Sequence, residues 1–320
     1  MRLAKLNMQY ISNNTSEWEK EIWISCLSYE ERTKDIILTK LTKDFKVLKG
    51  IFFQNTGIID KIDVEFKNSL KTSPVFKELM FQEVDYRHPT RFIKDIYTLF
   101  ERSFKKIEEF TINIDISTFP RIELLILLYI LNDLKIPLIR LFYVPVKEYG
   151  EWLSKGFERK IVIPFFEGTT VTNKKNLLVV FAGFDIERIS KLIEEIEPHL
   201  IIVCRSVEGF SDDFNKRVDK FIKNDLVFNS NNYEVIDTET QNVEKIQSVL
   251  VELVSKYQKD YNILICPSGT KLQLLACFLV FLHHPTIQFV YSIPISYNYL
   301  DYSKGAGKLY AFELKQDVKE

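Results

Sequence analysis

The chain contains two similar halves, whose shared positions are short polar segments leading into long apolar helices. Around Arg121 the sequence reads Asp-Ile-Ser-Thr-Phe-Pro-Arg-Ile-Glu-Leu-Leu, and around Lys271 it reads Ile-Cys-Pro-Ser-Gly-Thr-Lys-Leu-Gln-Leu-Leu. The two cations are 150 residues apart (271 − 121). Solenoid repeats recur about every 20 to 50 residues, and a period of half the chain is far longer than that. The repeat therefore predicts two similar domains.

Three further segments recur at similar separations: Glu31-Arg32 as Glu187-Arg188, Tyr143 as Tyr291, and Ser154-Lys155-Gly156 as Ser303-Lys304-Gly305. Their separations are 156, 148 and 149 residues (187 − 31, 291 − 143 and 303 − 154). Because these values drift by only a few residues, we expect an internal duplication rather than chance similarity.

Each half alternates short apolar strands with helical stretches. The predicted strands are 22–27, 46–53, 80–84, 110–116 and 138–144 in the first half, and 177–181, 200–204, 233–236, 263–266 and 287–292 in the second. Continuous apolar runs are typical of strands covered on both faces, and alternating strand–helix units predict parallel pairing. The predicted fold class is α/β, with two tandem, internally duplicated Rossmann-like domains and mainly parallel sheets.

The domain boundary is expected where polar residues interrupt the apolar pattern at 167–175. This gives domain 1 as residues 1–170 and domain 2 as residues 171–320. The last strand of each half, 160–166 and 308–314, is expected to complete the sheet of its own half.

Composition limits the classes of function. The chain has 320 residues, 46% of them hydrophobic, and a formal net charge of −1, which argues against bulk coating of nucleic acid but allows a local basic cleft. The apolar runs are too short or too interrupted to cross a membrane, and no signal peptide is evident, so we expect a cytoplasmic protein.

The four cysteines lie mostly in apolar runs without a CxxC pair and are predicted to be buried, reduced thiols: Cys26, Cys204, Cys266 and Cys277.

The segment from Pro267 to Lys271 is the strongest candidate for ligand contact. In open α/β sheets, ligands bind beyond the carboxyl ends of the strands. Ser268, Gly269, Thr270 and Lys271 combine two hydroxyls, a glycine and a cation at the start of a helix, which favours phosphate or another anion. The alternative is structural, since a Ser or Thr before a helix is most often an N-cap.

The corresponding segment of the first half has no glycine and has a proline before the helix. Ser117 and Thr118 supply hydroxyls, and Arg121 offers a planar guanidinium to a phosphate. Phe119 either stacks on a base or wedges between elements, and packing is the favoured interpretation.

Other candidate ligand contacts follow the first strand of each half or end a later strand: Ser28, Arg32, Gly183, Arg188, Tyr143 and Tyr291. The arginines could instead form salt bridges, and the tyrosines could line an interface between the halves. Lys155 and Lys304 are weaker candidates for anion contact. We expect the segments at Arg121 and Lys271 to face one cleft between the domains, as in an ancestral two-fold dimer.

Catalytic and metal sites have little support in the sequence. GxSxG, HExxH, Walker and dinucleotide-binding motifs are missing, and the histidines do not have metal-ligand spacing. Asp115 is the one acid at a predicted strand end that suggests function, and its counterpart is Ile265. No catalytic residue, metal or cofactor is therefore predicted, and an enzyme is the less favoured class.

The segment 267–271, between a buried strand and a long apolar helix and followed by a strand ending in Tyr291, resembles the Gly-Gly-Thr-Lys segment of CARF domains. The tandem arrangement is similar to SAVED domains, which fuse two CARF-like units in bacterial anti-phage defence. This chain has Ser268 in place of the first glycine, lacks a glycine before Arg121, and carries no evident nuclease, protease or TIR domain.

The resemblance implies a nucleotide sensor that binds a cyclic oligonucleotide, or another phosphorylated ligand, and signals to a separate effector or complex subunit. Two alternatives stay open. One is a non-catalytic scaffold subunit of a defence complex. The other is a ring-nuclease-like or other nucleotide-processing enzyme, in which Ser268, Thr270 and Lys271 stabilise phosphate charge while Ser28, Asp115 or Glu187 assists.

Overall fold

The chain forms two compact α/β units. The computed structural model describes residues 1–6, 19–37, 45–183, 186–208, 216, 219–220, 222–223 and 232–316. Unit 1 comprises Met1–Lys147 and Ser303–Glu320, and unit 2 comprises Glu148–Tyr302. Both main sheets are mostly parallel, which confirms the predicted α/β class. Among the described residues, no helix combines the length and the apolar character needed to cross a bilayer.

The elements of the first half up to the middle of the chain are, in order, β1 (Arg2–Lys5), β2 (Glu21–Leu27), α1 (Arg32–Asp35), β3 (Val47–Asn55), a 3-10 helix (Thr56–Lys61), α2 (Val64–Thr72), β4 (Phe76–Val84), α3 (Pro89–Ser103), a second 3-10 helix (Ile107–Glu109), β5 (Thr111–Asp115), α4 (Arg121–Asp133), β6 (Leu138–Tyr143), β7 (Val146–Tyr149), β8 (Ser154–Lys155) and β9 (Arg159–Val162).

The later elements are β10 (Lys175–Phe181), α5 (Ile186–Ile196), β11 (Leu200–Glu208), β12 (Tyr233–Glu239), α6 (Val243–Tyr257), β13 (Tyr261–Cys266), α7 (Lys271–His283), β14 (Gln288–Ile293), β15 (Ser296–Tyr297), β16 (Ser303–Ala306) and β17 (Tyr310–Lys315). Two small ribbons, β15 with β8 and β16 with β7, accompany the main sheets.

Each main sheet has a parallel centre and antiparallel additions at the margin. The seven-stranded sheet of unit 1 has the order β1-β17-β6-β5-β2-β3-β4, in which β2 to β6 are parallel. The six-stranded sheet of unit 2 has the order β12-β11-β10-β13-β14-β9, and only β9 is antiparallel.

The last strand of each half joins the sheet of the other half, so the expectation that each would complete its own sheet is wrong. β9 pairs with β14, with Val162 opposite Val290. β17 pairs with β6, with Glu313 opposite Arg140. The compact units consequently differ from the expected halves 1–170 and 171–320. Local apolar pattern does not distinguish the two pairings, because either sheet can bury the same strand face.

The two longest apolar helices lie in the cores. Nearly all of 122–131 in α4 and all of 272–281 in α7 are buried, as expected for helices that are apolar on every face. On unit 1, Trp23 and Phe142 pack with their ring centroids 5.2 Å apart in a cluster that also contains Phe52 and Phe66. α3 ends at Ser103, and the short 3-10 helix Ile107–Glu109 follows it before β5.

A buried polar ladder crosses four strands of unit 1 and fixes the position of β17. Arg140 Nη1 donates to both carboxylate oxygens of Glu21, at 2.7 and 2.9 Å, and Arg140 Nε donates to Glu313 Oε1 at 3.4 Å. Asn113 Nδ2 donates to Glu21 Oε2 at 2.5 Å. Charges removed from water require such partners, so this ladder favours β17 beside β6 over alternative strands.

We predict that Arg140→Ala lowers the free energy of unfolding by about 3 kcal/mol, because it leaves two largely buried carboxylates without their shared cation. Lys315→Ala is the matched control. Lys315 Nζ also pairs with Glu313, at 2.9 Å, but its side chain is 61% exposed, and the expected loss is below about 0.5 kcal/mol. Urea unfolding followed by circular dichroism measures both. Equal losses for the two variants would contradict the role given to the ladder.

Candidate functional site

The carboxyl edge of each parallel sheet contains a topological switch point, where the strand order reverses. In unit 1 the chain proceeds from β2 to β3 and β4 on one side, and then to β5 and β6 on the other; in unit 2 it proceeds likewise from β10. The segment Ser117–Arg121, here called the first elbow, follows β5, and Pro267–Lys271, the second elbow, follows β13. Both elbows thus lie where this class of fold binds ligands.

The hydroxyls of the second elbow hold the elbow itself in place. Ser268 Oγ donates to the carbonyl of Phe181 at the end of β10, at 2.7 Å. Thr270 Oγ1 accepts the N–H of Gln273 at 3.2 Å, while Gln273 Oε1 accepts the N–H of Thr270 at 2.8 Å, which forms a capping box. Thr270 Oγ1 also donates to the carbonyl of Thr240 at 3.2 Å. The N-cap interpretation of Thr270 is confirmed.

Two glycines allow the second elbow to approach its neighbours closely. A Cβ on Gly183 would lie 2.7 Å from the carbonyl oxygen of Ser268, so the chain leaving β10 contacts the elbow at backbone distance. A Cβ on Gly269 would lie 2.1 Å from Gln273 Oε1 and 3.0 Å from the Cβ of Phe181. Larger residues at either position would displace the elbow from the end of β10.

Lys271 is the first residue of α7 and is half-buried. The capping box also contacts neighbouring strands: Gln273 Nε2 donates to Ser206 Oγ at 3.1 Å, to Thr238 Oγ1 at 3.5 Å and to the carbonyl of Glu239 at 3.3 Å. The elbow sequence itself contains no carboxylate. A cation, a helix N-terminus and neutral hydroxyl groups together make an environment that favours an anion.

The first elbow shares one anchoring bond with the second elbow, because Thr118 bonds the end of β2 as Ser268 bonds the end of β10, but it ends differently. Thr118 Oγ1 donates to the carbonyl of Cys26 at 2.8 Å, and Ser117 Oγ accepts the N–H of Val144 at 2.9 Å. The N-cap of α4 is Pro120, which provides no capping side chain, and Arg121 follows it, half-buried. Phe119 is completely buried, 5.9 Å from the ring centroid of Phe53, so it is a packing wedge.

Two buried carboxyl groups distinguish the first elbow from the second. Asp115, fully buried, accepts the N–H of Ser117 at 2.9 Å and the hydroxyl of Ser25 at 3.3 Å. Burial raises the pKa of Asp115 to about 6, although hydrogen bonds from Ser117 and the charge of Arg32 oppose the rise. Glu123, also buried, occupies the helix position that Gln273 occupies in α7. The equivalent positions of unit 2 are the neutral Ile265 and Gln273.

The two candidate arginines make the same backbone contact in their own units. Arg32 Nη1 donates to the carbonyl of Val144 at 3.1 Å, and Arg188 Nη1 donates to the carbonyl of Ser292. These acceptors directly follow Tyr143 and Tyr291, the repeated tyrosines. Arg32 is also paired with Glu30 through two hydrogen bonds of 3.0 and 3.1 Å, as the salt-bridge interpretation expects.

The remaining candidate residues each contact a neighbour from the same unit. Tyr143 and Tyr291 are buried, the former 6.4 Å from the ring of Tyr310 and the latter 5.6 Å from the guanidinium of Arg188. Ser28 Oγ accepts the N–H of Glu30 at 3.3 Å. Lys155 lies over the ring of Trp152 at 4.3 Å. The repeated Ser-Lys pairs form the small strands β8 and β16 rather than only tight loops.

Sequence reasoning missed the polar cluster around Gln273 and the burial of Glu123. The Thr-x-x-Gln spacing of Thr270 and Gln273 is a readable capping-box signal, but the hydroxyls of Ser206 and Thr238 come from strands distant in the sequence. The prediction of buried, free thiols is confirmed for all four cysteines. In the described ranges, no group of three or more His, Cys, Asp or Glu side chains is arranged to hold a metal ion.

Comparison with known proteins gives little beyond this geometry. No protein-family model and no curated protein matches the chain. One solved structure that is similar in part is Can2 from Sulfobacillus thermosulfidooxidans in complex with cyclic tetra-adenylate, with 14% identity and a TM-score of 0.32. The match covers 42% of this chain and 36% of Can2. A likeness at this level carries no argument about function.

We predict that Asp115 makes the stability of the chain pH-dependent. Because its folded pKa is about 6 and its ordinary value is 3.8, the folded state holds this proton more tightly than the unfolded state. The contribution is therefore fully present below about pH 4 and is lost as the pH rises through about 6. The loss is on the order of 3 kcal/mol.

Asp115→Asn tests this prediction, since it keeps an oxygen for the N–H of Ser117 but cannot ionise. Urea unfolding of the variant and the wild type at intervals from about pH 4 to about pH 7 gives the difference in their free energies of unfolding. We expect the variant to gain relative stability as the pH rises. A difference that is constant over this range would show that Asp115 does not titrate as described.

Proposed function

We propose that this protein binds a phosphorylated ligand at the carboxyl edge of its sheets and signals its presence to a separate partner. The observation that carries the proposal is the second elbow: Lys271 begins α7 at a switch point, directly after Ser268, Gly269 and Thr270. Phosphate oxygens are stabilised by helix N-termini and by cations in such positions.

Electrostatics favours the second elbow as the main phosphate contact. The first elbow offers Arg121. However, two buried carboxyl groups flank this elbow in the sequence, Asp115 before it and Glu123 after it. When ionised, these carboxylates repel an anion in an environment of low dielectric constant, where charges interact strongly. We therefore assign the primary phosphate contact to Lys271 and a secondary one to Arg121.

The ligand class within this proposal is a cyclic oligonucleotide, which follows from the resemblance of the 267–271 segment to CARF domains. The same proposal includes the duplication of the two halves. The recurring contacts of Arg32 with Val144 and of Arg188 with Ser292 support the duplication. An asymmetric pair of elbows would suit a ligand whose two sides differ.

A second candidate function is a scaffold subunit without a ligand. The observation that favours it is that the elbow hydroxyls already bond within the fold: Ser117, Thr118, Ser268 and Thr270. A scaffold would need these groups only to cap helices and join strands. The nucleotide-processing alternative is distinguished by turnover, measured by chromatography of candidate nucleotides after incubation with the protein.

We predict that Lys271→Ala weakens binding of the responsive oligonucleotide about tenfold or more, because a charge-assisted contact with phosphate is lost. Lys259→Ala is the matched control: it removes the same charge from an exposed position just before β13, at the opposite edge of the sheet. Arg121→Ala is expected to have a smaller effect than Lys271→Ala.

Isothermal titration calorimetry against a panel of cyclic and linear oligonucleotides measures these affinities. The wild type should bind at least one member, and its affinity should fall with added salt. If no member of the panel binds at high micromolar concentration, or if Lys259→Ala and Lys271→Ala weaken binding equally, the scaffold function becomes the better account.

A further inference from the structure

The loop after β2 holds both segments at which the chain leaves and re-enters unit 1. Arg32 Nη1 bonds the carbonyl of Val144, three residues before unit 1 ends at Lys147. Glu30 Oε2 accepts the hydroxyl of Ser303, the residue at which unit 1 resumes, at 2.7 Å. Glu31 Oε2 accepts the N–H of Gly305 at 3.1 Å. We call Glu30, Glu31 and Arg32 the crossing clamp.

The crossing clamp is connected to the first elbow through a single residue. Val144 accepts a hydrogen bond from Arg32 with its carbonyl and donates its N–H to Ser117 Oγ at 2.9 Å. The elbow therefore reaches the return segment by a continuous run of four hydrogen-bonded contacts, which join Ser117, Val144, Arg32, Glu30 and Ser303. The first four of these residues are buried.

Burial makes partial opening of this run costly. Arg32 and Glu30 have side chains only 7% and 6% exposed, and a buried ion that loses its partner is not compensated by water. If Val144 moves, the guanidinium of Arg32 must move with the Val144 carbonyl, or Arg32 Nη1 is left without its acceptor. Displacement of the guanidinium in turn disturbs the carboxylate that holds Ser303. A partly opened crossing clamp would therefore leave buried polar groups without partners.

We propose that this run of contacts couples the conformation of the first elbow to that of the return segment Ser303–Ala306. A ligand that shifts the elbow would loosen or tighten β16, and with it the start of the chain leading to β17. The ligand step rests on the proposed function, whereas the coupling between elbow and return segment is a property of the ligand-free protein.

Hydrogen exchange of the ligand-free, full-length chain, followed by mass spectrometry, tests the coupling. Ser117→Ala removes the acceptor of the Val144 N–H, and Glu30→Gln removes the charge that holds Arg32. We expect Ser117→Ala to speed exchange in peptides covering 303–306 about fivefold, the effect of one lost hydrogen bond. Combined with Glu30→Gln, it should add nothing to the effect of Glu30→Gln alone. Ser69→Ala is the control, since the Ser69 hydroxyl donates to the Phe66 carbonyl within α2, and that is the hydroxyl's one hydrogen bond among the described residues.

A change in the return segment should also affect the elbow, and this second readout does not require that the variants of buried residues fold. Coupling between two sites acts equally in both directions. Ser303→Ala, at a half-buried position, should therefore speed exchange at the elbow, residues 116–121. Unchanged exchange at the elbow in Ser303→Ala would overturn the proposal, as would additive effects of Ser117→Ala and Glu30→Gln. Because no ligand is used, either result is separate from a failure of the proposed function.

Discussion

The insertion of β17 between β1 and β6 is the constraint on which unit 1 depends. β17 is antiparallel to both neighbours, and within the described strands it is the sole partner of β1. It also supplies Glu313 to the Arg140 ladder, which joins four strands through buried polar groups. Since β17 follows the residues of unit 2 in the sequence, unit 1 is complete only after unit 2 has been synthesised. The two units are thus linked through chain connectivity.

The elements of this fold were largely readable from the sequence, but their partners were not. Apolar runs identified β2, β5, β6 and their counterparts because strands covered on both faces have no polar alternation. The sequence did not predict that β9 would join the sheet of the second half and β17 the sheet of the first half, since strand pairing depends on contacts between residues far apart in the chain. Glu313 and Arg140 show this directly: they are 173 residues apart, and neither is unusual in its local sequence.

The candidate site was predictable in position and less so in chemistry. Strand ends and helix starts place both elbows at switch points, and the Thr270 cap follows from its spacing to Gln273. The raised pKa of Asp115 could not be inferred, because it results from burial by the whole sheet. The difference between Glu123 and Gln273 likewise acquires meaning only when both side chains are seen to be buried. The resulting contrast underlies the proposed assignment of the phosphate contact: two carboxyl groups are buried beside the first elbow, whereas the equivalent positions of unit 2 are the neutral Ile265 and Gln273.

The most direct measurement of the central claim is hydrogen exchange with and without a bound oligonucleotide from the panel. If the carboxyl edge of unit 2 is the ligand edge, protection should concentrate in residues 267–274, with a smaller change in 117–124. The opposite edge of the same sheet, at 258–262, serves as the internal reference. Protection confined to 258–262, or spread evenly over the chain, would contradict the account and remove the basis for assigning phosphate binding to the second elbow.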